Sequence, residues 1–233
     1  MSQIYNEKEE GKMKKKNQNQ RSLWIMLVAL FMFVAWTLAL TKVDLQPVGP
    51  EGTVVGFATI NSAFHEWTGV HMWLYEMTDW LGLVPIIVVL GFGILGLTQL
   101  IKRRSLFKVD SDILILGVFY ILVMAAYVIF EMFVINYRPV LIEGRLEASY
   151  PSSTTLLVLC VMPTAIMQLN NRIKNVVLRR VVVVSISLFI IFMVVGRLVS
   201  GVHWITDIVG GVLLSIGLVM LYQTMATRFR KTI

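Results

Sequence analysis

Six long apolar runs separated by shorter polar segments set the pattern of this chain. Crossing about 30 Å of hydrocarbon takes roughly 20 helical residues at about 1.5 Å each. Residues 22–41, 80–101, 112–135, 152–169, 181–196 and 204–224 approach that length or exceed it. The fourth and fifth runs are short, and Pro163 predicts a kink in the fourth. The pattern predicts an all-α membrane protein with a bundle of six transmembrane helices. Its parts are a basic tail (1–21), a first anchor (22–41), an outer interfacial segment (42–79), a helical core (80–224) and a second basic tail (225–233). The first run follows MKKKNQNQR, like the basic start of a secretory signal, but it is too long for a signal core and no small-x-small cleavage site follows it. It reads as a retained anchor.

Composition agrees: 57% of residues are hydrophobic, 15% are charged, and mean hydropathy is +0.74. A formal charge of +7 raises nucleic acid as a partner, but the basic residues cluster at the ends of apolar runs, where they act as topology determinants. With the N-terminus cytoplasmic, 17 of the 21 Lys and Arg residues fall inside, and only Lys42, Arg138, Arg145 and Arg197 fall outside. Both termini are therefore expected to be cytoplasmic. The expected partner is the lipid bilayer rather than nucleic acid. Nothing in the sequence sets an oligomeric state. The single cysteine, Cys160, lies inside an apolar run and reads as a small buried hydrophobe.

The outer segment opens with the turn-rich KVDLQPVGPEG and closes with NSAFHEWTGVHMWLYEMTD, whose aromatics suit an interfacial helix or a re-entrant cap. His65 and His71 are six apart and lack the HExxH spacing, so they read as interfacial histidines rather than metal ligands. No cofactor and no metal are implied by ligand spacing.

Ionisable residues near a membrane are costly and usually mark function. His203 and Asp207 stand at i and i+4 near the outer end of the sixth run, so the carboxylate is expected to hold one imidazole nitrogen and leave the other free. A polar pair capping a helix at the surface is the plainer alternative. Arg197, six residues upstream, has a guanidinium that forks well to phosphate, though an arginine there also snorkels to headgroups. Arg138-Pro139 ends the third run, and Pro151-Ser152-Ser153 opens the fourth. A helix N-terminus carrying hydroxyls makes an anion site, while ordinary capping by Ser152 is the simpler reading. On one outer face, these groups describe a phosphate site with a nucleophile.

These motifs resemble those of the type 2 phosphatidic acid phosphatase superfamily, membrane branch: KxxxxxxRP, PSGH and SRxxxxxHxxxD. GRLVSGVHWITD matches the third, with Gly196 in place of serine and with Arg197, His203 and Asp207 in register. EMFVINYRP keeps Arg138 and Pro139 but has Glu131 for lysine. PSST keeps Pro151 and Ser152 but has Ser153 for glycine and Thr154 for histidine. The likeness in topology covers about residues 79–224.

The resemblance implies a six-helix fold and a membrane lipid phosphatase. His203 would form a phosphohistidine, Asp207 would orient it, and Arg138, Arg197, Ser152 and Ser153 would bind phosphate. The motif histidine that protonates the leaving oxygen is absent, and general acid catalysis is typically worth about 10²–10⁴-fold. Three readings follow. A polyprenyl diphosphate is preferred over phosphatidic acid, because a phosphate is a better leaving group than an alkoxide. A substitute acid acts, the candidates being Glu143, Glu147, His65 and His71. Or the chain is catalytically impaired and binds or transports a phospholipid or polyprenyl phosphate. Hydrolysis is favoured by the retained His203 and Asp207. An outward-facing site in a bacterial cytoplasmic membrane, recycling a lipid carrier such as undecaprenyl diphosphate, is the expected setting.

Overall fold

The computed structural model describes residues 2–229. The side chains of Lys8, Lys12, Lys14, Lys15 and Lys16, and the tail residues Arg230 and Lys231, lie outside the described set. Among the described residues there are eight α-helices: α1 (Ser2–Leu40), α2 (Ala58–Thr68), α3 (Met72–Leu81), α4 (Leu83–Arg103), α5 (Ser111–Met132), α6 (Ser153–Arg172), α7 (Val176–Val199) and α8 (Ile205–Phe229). Six stretches are long and apolar enough to cross a membrane, as the hydrophobic pattern predicts. The chain is an integral membrane protein.

Several boundaries differ from the sequence reading, α7 among them, which runs from Val176 to Val199 rather than over 181–196. Residues 2–21 of the expected basic tail are not separate, since they continue as α1 into the first span. α3 belongs to the second span rather than to the outer segment: Gly82 keeps helical angles, so Met72–Arg103 forms one apolar stretch of 32 residues. The last helix runs on to Phe229, beyond the expected end at 224.

α6 and α8 form the centre. Their most apolar windows are 50% and 61% buried, against 6–22% for the other four spans. The reason lies in the sequence. α6 carries Thr154, Thr155, Thr164 and Gln168, hydrogen-bonding groups that hydrocarbon cannot satisfy, and all four are buried in protein. α8 carries small residues that let neighbours close in. A Cβ on Gly210 would lie 2.4 Å from the Tyr150 ring, and one on Gly217 would lie 2.5 Å from Leu30 of α1. Gly211 and Ser215, at the spacing expected for close packing, face α6: a Cβ on Gly211 would meet Thr155 at 3.2 Å, and Ser215 Oγ reaches Leu156 O at 3.5 Å. α6 runs unbroken through Pro163. Cys160 is buried and free. Exposed Phe31, Ile87, Ile121, Val177 and Leu188 cover the outside of the bundle, which is the pattern of a lipid-facing surface.

The segment between the first two spans packs down onto the start of α8. Buried Asn61 of α2 donates to Gly56 O (2.8 Å) and to Thr206 Oγ1 (3.0 Å). The linker after α2 meets the loop before α8, where Gly201 has φ +71° and a Cβ would lie 2.1 Å from Gly69 O. His71 N donates to Ser200 O at 2.9 Å. Between α5 and α6 the chain folds back on itself as a hairpin held by Arg138 N to Glu147 O (3.1 Å) and Ser149 N to Asn136 O (2.9 Å). These two loops, at one end of the bundle, carry the candidate chemistry.

Candidate active site

His203 sits in the tight loop between α7 and α8 and is 3% exposed. Its Nδ1 lies 3.8 Å from Asp207 Oδ2, beyond hydrogen-bond reach, so the expected direct contact is replaced by a bridge. Ser149, contributed by the α5–α6 hairpin, stands between them: its Oγ is 3.0 Å from His203 Nδ1 and donates to Asp207 Oδ2 at 2.5 Å. An ionised carboxylate has no proton to give and a hydroxyl has one, so Ser149 donates to Asp207 and accepts from Nδ1–H. That assignment leaves Nε2 with its lone pair. Nε2 is buried and makes no hydrogen bond within the protein.

Asp207, in the first turn of α8, is fully buried and also accepts from Trp204 N at 2.9 Å, which caps the start of the helix. The plainer capping contact is therefore present, and the expected contact with the imidazole runs through Ser149. Burial disfavours the charged imidazolium, and the Arg138 and Arg197 charges add to this, so the His203 pKa falls well below its ordinary value. His203 is neutral at neutral pH.

The two arginines are anchored by different elements. Arg197 is 1% exposed, with Nη2 donating to Thr154 Oγ1 (2.7 Å) and Asp79 Oδ1 (3.0 Å) and Nη1 donating to Tyr75 O (3.3 Å). Its guanidinium carbon lies 4.8 Å from the centre of the Tyr75 ring. Arg197 is thus turned towards α3 and α6. Gly196 explains how α3 comes so near, because a Cβ there would meet Thr78 Cγ2 at 2.8 Å. The motif serine would hold α3 away from Arg197. Arg138 is nine-tenths buried, pairs through Nε with Glu147 Oε2 at 3.1 Å, and leaves Nη1 without a hydrogen-bond partner.

Both arginines line a cavity of about 500 Å³, together with Tyr75, Asp79, Tyr127, Glu131, Glu147, Ser153 and Thr154. A second, more apolar groove of about 370 Å³ shares Asp79, Tyr127, Ser153 and Thr154 and runs down between α4, α5 and α6 to Tyr120 and Val161. Its walls include Leu83, Ile86 and Met124, which are exposed on the outside of the bundle, so the groove opens towards lipid.

The other residues singled out in the chain fall differently. Ser153 lines the cavity, whereas Ser152 is wholly buried as the cap of α6, accepting loosely from Thr155 N at 3.5 Å. Capping is therefore the role of Ser152 here. Of the four substitute acids, only Glu147 lines the cavity. Glu143 is exposed in the hairpin turn at φ +49°. His65 packs against Trp204, ring centroids 5.5 Å apart, and burial lowers its pKa. His71 holds Thr68 O at 3.0 Å. Among the described residues no three His, Cys, Asp or Glu side chains converge as a metal cage.

Sequence reasoning missed Ser149 and Asp79. Asp79 carried the same signal that singled out Asp207, a carboxylate at the edge of an apolar run. Ser149 carried none, since its partners lie 54 and 58 residues away. Replacing Ser149 by alanine is expected to lower kcat about 10–100-fold and leave KM within about two-fold, because it strands Nδ1–H and one carboxylate oxygen while the cavity keeps its lining. Steady-state kinetics of the folded variant check this.

Six apolar spans, with two buried arginines and a buried histidine gathered at one end, describe a membrane protein with a polar centre. The family model of the PAP2 superfamily matches residues 112–231, which take in α5 to α8 and both loops of the site. The chain belongs to the PAP2 superfamily. A crystal structure described as the first transmembrane PAP2-type phosphatidylglycerolphosphate phosphatase from Bacillus subtilis shares the fold, with a TM-score of 0.66 over 90% of this chain and 100% of that one, at 15% identity. Comparison with curated proteins gives no match.

Proposed function

We propose that this chain is a lipid phosphatase that works through His203. The observation that carries the reading is the Ser149 bridge, which leaves His203 Nε2 neutral, buried and unpartnered, within the field of the Arg138 and Arg197 charges. Nε2 attacks the terminal phosphorus in line, the bond from phosphorus to the bridging oxygen breaks, and a phosphohistidine forms. Arg138, Arg197, Ser153 Oγ and the free N–H groups of the first turn of α6 stabilise the equatorial oxygens. Water then attacks the phosphohistidine, returning His203 and releasing inorganic phosphate. The apolar groove takes the hydrocarbon tail while the headgroup occupies the polar cavity.

Thr154 bears on the substrate. Its hydroxyl is engaged with Arg197 and is a poor proton donor, so the leaving group must depart largely without help. A lipid diphosphate leaves behind a lipid phosphate whose second pKa is near 6, whereas a monophosphate must expel an alkoxide. The reading is therefore hydrolysis of a polyprenyl diphosphate, such as undecaprenyl diphosphate, in preference to phosphatidic acid. The surplus of basic residues at the opposite end of the bundle supports an outward-facing site and cytoplasmic termini, in a bacterial cytoplasmic membrane.

Phosphate release from undecaprenyl diphosphate, phosphatidic acid and phosphatidylglycerolphosphate in detergent micelles tests this. The diphosphate is expected to be cleaved at least about 100-fold faster in kcat/KM than phosphatidic acid, the lower range of one missing general acid. Equal rates would remove the leaving-group argument. No release from any lipid would turn the reading towards binding or transport of a lipid phosphate.

A further inference from the structure

Tyr75 of α3 precedes all three motifs and takes no part in the steps proposed above. Its half-buried ring lines the polar cavity, with 4.8 Å from the ring centre to the guanidinium carbon of Arg197 and 5.7 Å to that of Arg138. Both distances are within the range over which an aromatic face attracts a cation. Two guanidiniums gathered at one cavity repel each other, and something must hold them there before an anion arrives. The carboxylates do this poorly. Asp79 and Glu147 are 58% and 40% exposed, so water screens both ion pairs. A carboxylate also occupies N–H groups that a phosphate would use, and it repels the phosphate itself. An aromatic face attracts a guanidinium while carrying no net charge and claiming no particular N–H. Beside this ring, Arg138 Nη1 and Arg197 Nε make no hydrogen bond. The backbone of the same residue adds to the hold, since Tyr75 O accepts from Arg197 Nη1 at 3.3 Å. Gly196, by letting α3 rest on α7, brings the ring to this place.

We propose that Tyr75 is a positioning residue for the phosphate site. Its ring holds the Arg138 and Arg197 guanidiniums together, so that one lipid phosphoryl group meets both, and it does so without competing for their donors. The ring carries this role and the hydroxyl does not. The proposal rests on the lipid phosphatase reading above for the identity of the anion.

The test is the affinity for a non-hydrolysable methylene analogue of a polyprenyl diphosphate, measured by calorimetry in micelles beside kcat/KM for the diphosphate itself. The wild type is compared with Tyr75→Phe, which keeps the ring, and Tyr75→Leu, which removes it; the residues of both ion pairs are left intact. Tyr75→Leu is expected to bind the analogue at least about ten-fold more weakly, with kcat/KM falling in step, and Tyr75→Phe to stay within about three-fold of the wild type. An unchanged affinity in Tyr75→Leu overturns the proposal. So does an equal loss in both variants, which would assign the effect to the hydroxyl. Should Tyr75→Leu fail to fold, phenylalanines of increasing fluorine content at position 75 keep the shape while drawing charge from the ring face. Affinity that falls step by step with fluorine upholds the proposal, and a flat series overturns it. Binding that follows the ring in a protein that releases no phosphate upholds the proposal and removes the phosphatase reading alone. A wild type that does not bind the analogue overturns the proposal.

Discussion

His203→Ala is expected to lower phosphate release by about 10⁴-fold or more, down to what bound arginines alone provide. Removing a nucleophile from a site whose parts act as a unit typically costs about as much as removing the whole unit. Here the geometry leaves no deputy: His65 is packed on Trp204, and His71 is tied to Thr68 O. Trapping lipid-derived ³²P on the wild type but not on His203→Ala would identify the covalent intermediate. The same residue fixes a pH dependence. Burial first, then the Arg138 and Arg197 charges, hold the His203 pKa below 6.5. The attacking form is the neutral one, so kcat/KM is lost as pH falls through that lowered pKa. The acid limb set by His203 is expected below pH 6.5; a limb centred above it would mean that another group, Asp207 of the bridge included, controls the rate.

Asp207→Asn is expected to lower kcat by about 10³–10⁴-fold with little change in the fold. The amide is nearly the size of the carboxylate, so packing in this fully buried position survives. What changes is the direction of the bridge. A carboxylate forces Ser149 to donate to it and to accept from Nδ1–H, whereas an amide can donate to Ser149. The serine can then donate to Nδ1 and leave the proton on Nε2. Wrong-tautomer variants of oriented histidines lose about 10⁴-fold in kcat. The checking measurement is kcat for Asp207→Asn beside Ser149→Ala. A smaller loss in Asp207→Asn than in Ser149→Ala would show that the serine, not the carboxylate, governs the tautomer.

How much of this was legible in the chain depends on the range of each interaction. The spans were legible because solvent sets them: a run of apolar residues long enough for hydrocarbon needs no tertiary information. The register of Arg197, His203 and Asp207 was legible because it is local to one loop and the helix turn that follows. The attachment of α3 to the second span was hidden, since MWLYEMTDW mixes polar and apolar residues on a helix whose polar side faces the site. Arg197 finds Asp79 across 118 residues and Thr154 across 43. Ser149 reaches His203 and Asp207 only because the α5–α6 hairpin folds over them. The meaning of Gly196 was likewise inaccessible, for a glycine in place of a motif serine reads as loss until α3 is seen resting on it. Ser152 and Ser153 were told apart only by the helix they start, one becoming the cap and the other the first residue facing the cavity.

The groove between α4, α5 and α6 is bounded by lipid-facing Leu83, Ile86 and Met124 and joins the polar cavity at Asp79 and Thr154. A substrate using it slides sideways out of the leaflet and never passes through bulk water. Encounter is then a two-dimensional search, and the quantity that governs saturation is the number of substrate molecules per unit area. Diluting the substrate with inert phospholipid at fixed bulk concentration would slow the reaction, while diluting the vesicles themselves in buffer would leave the rate per protein untouched.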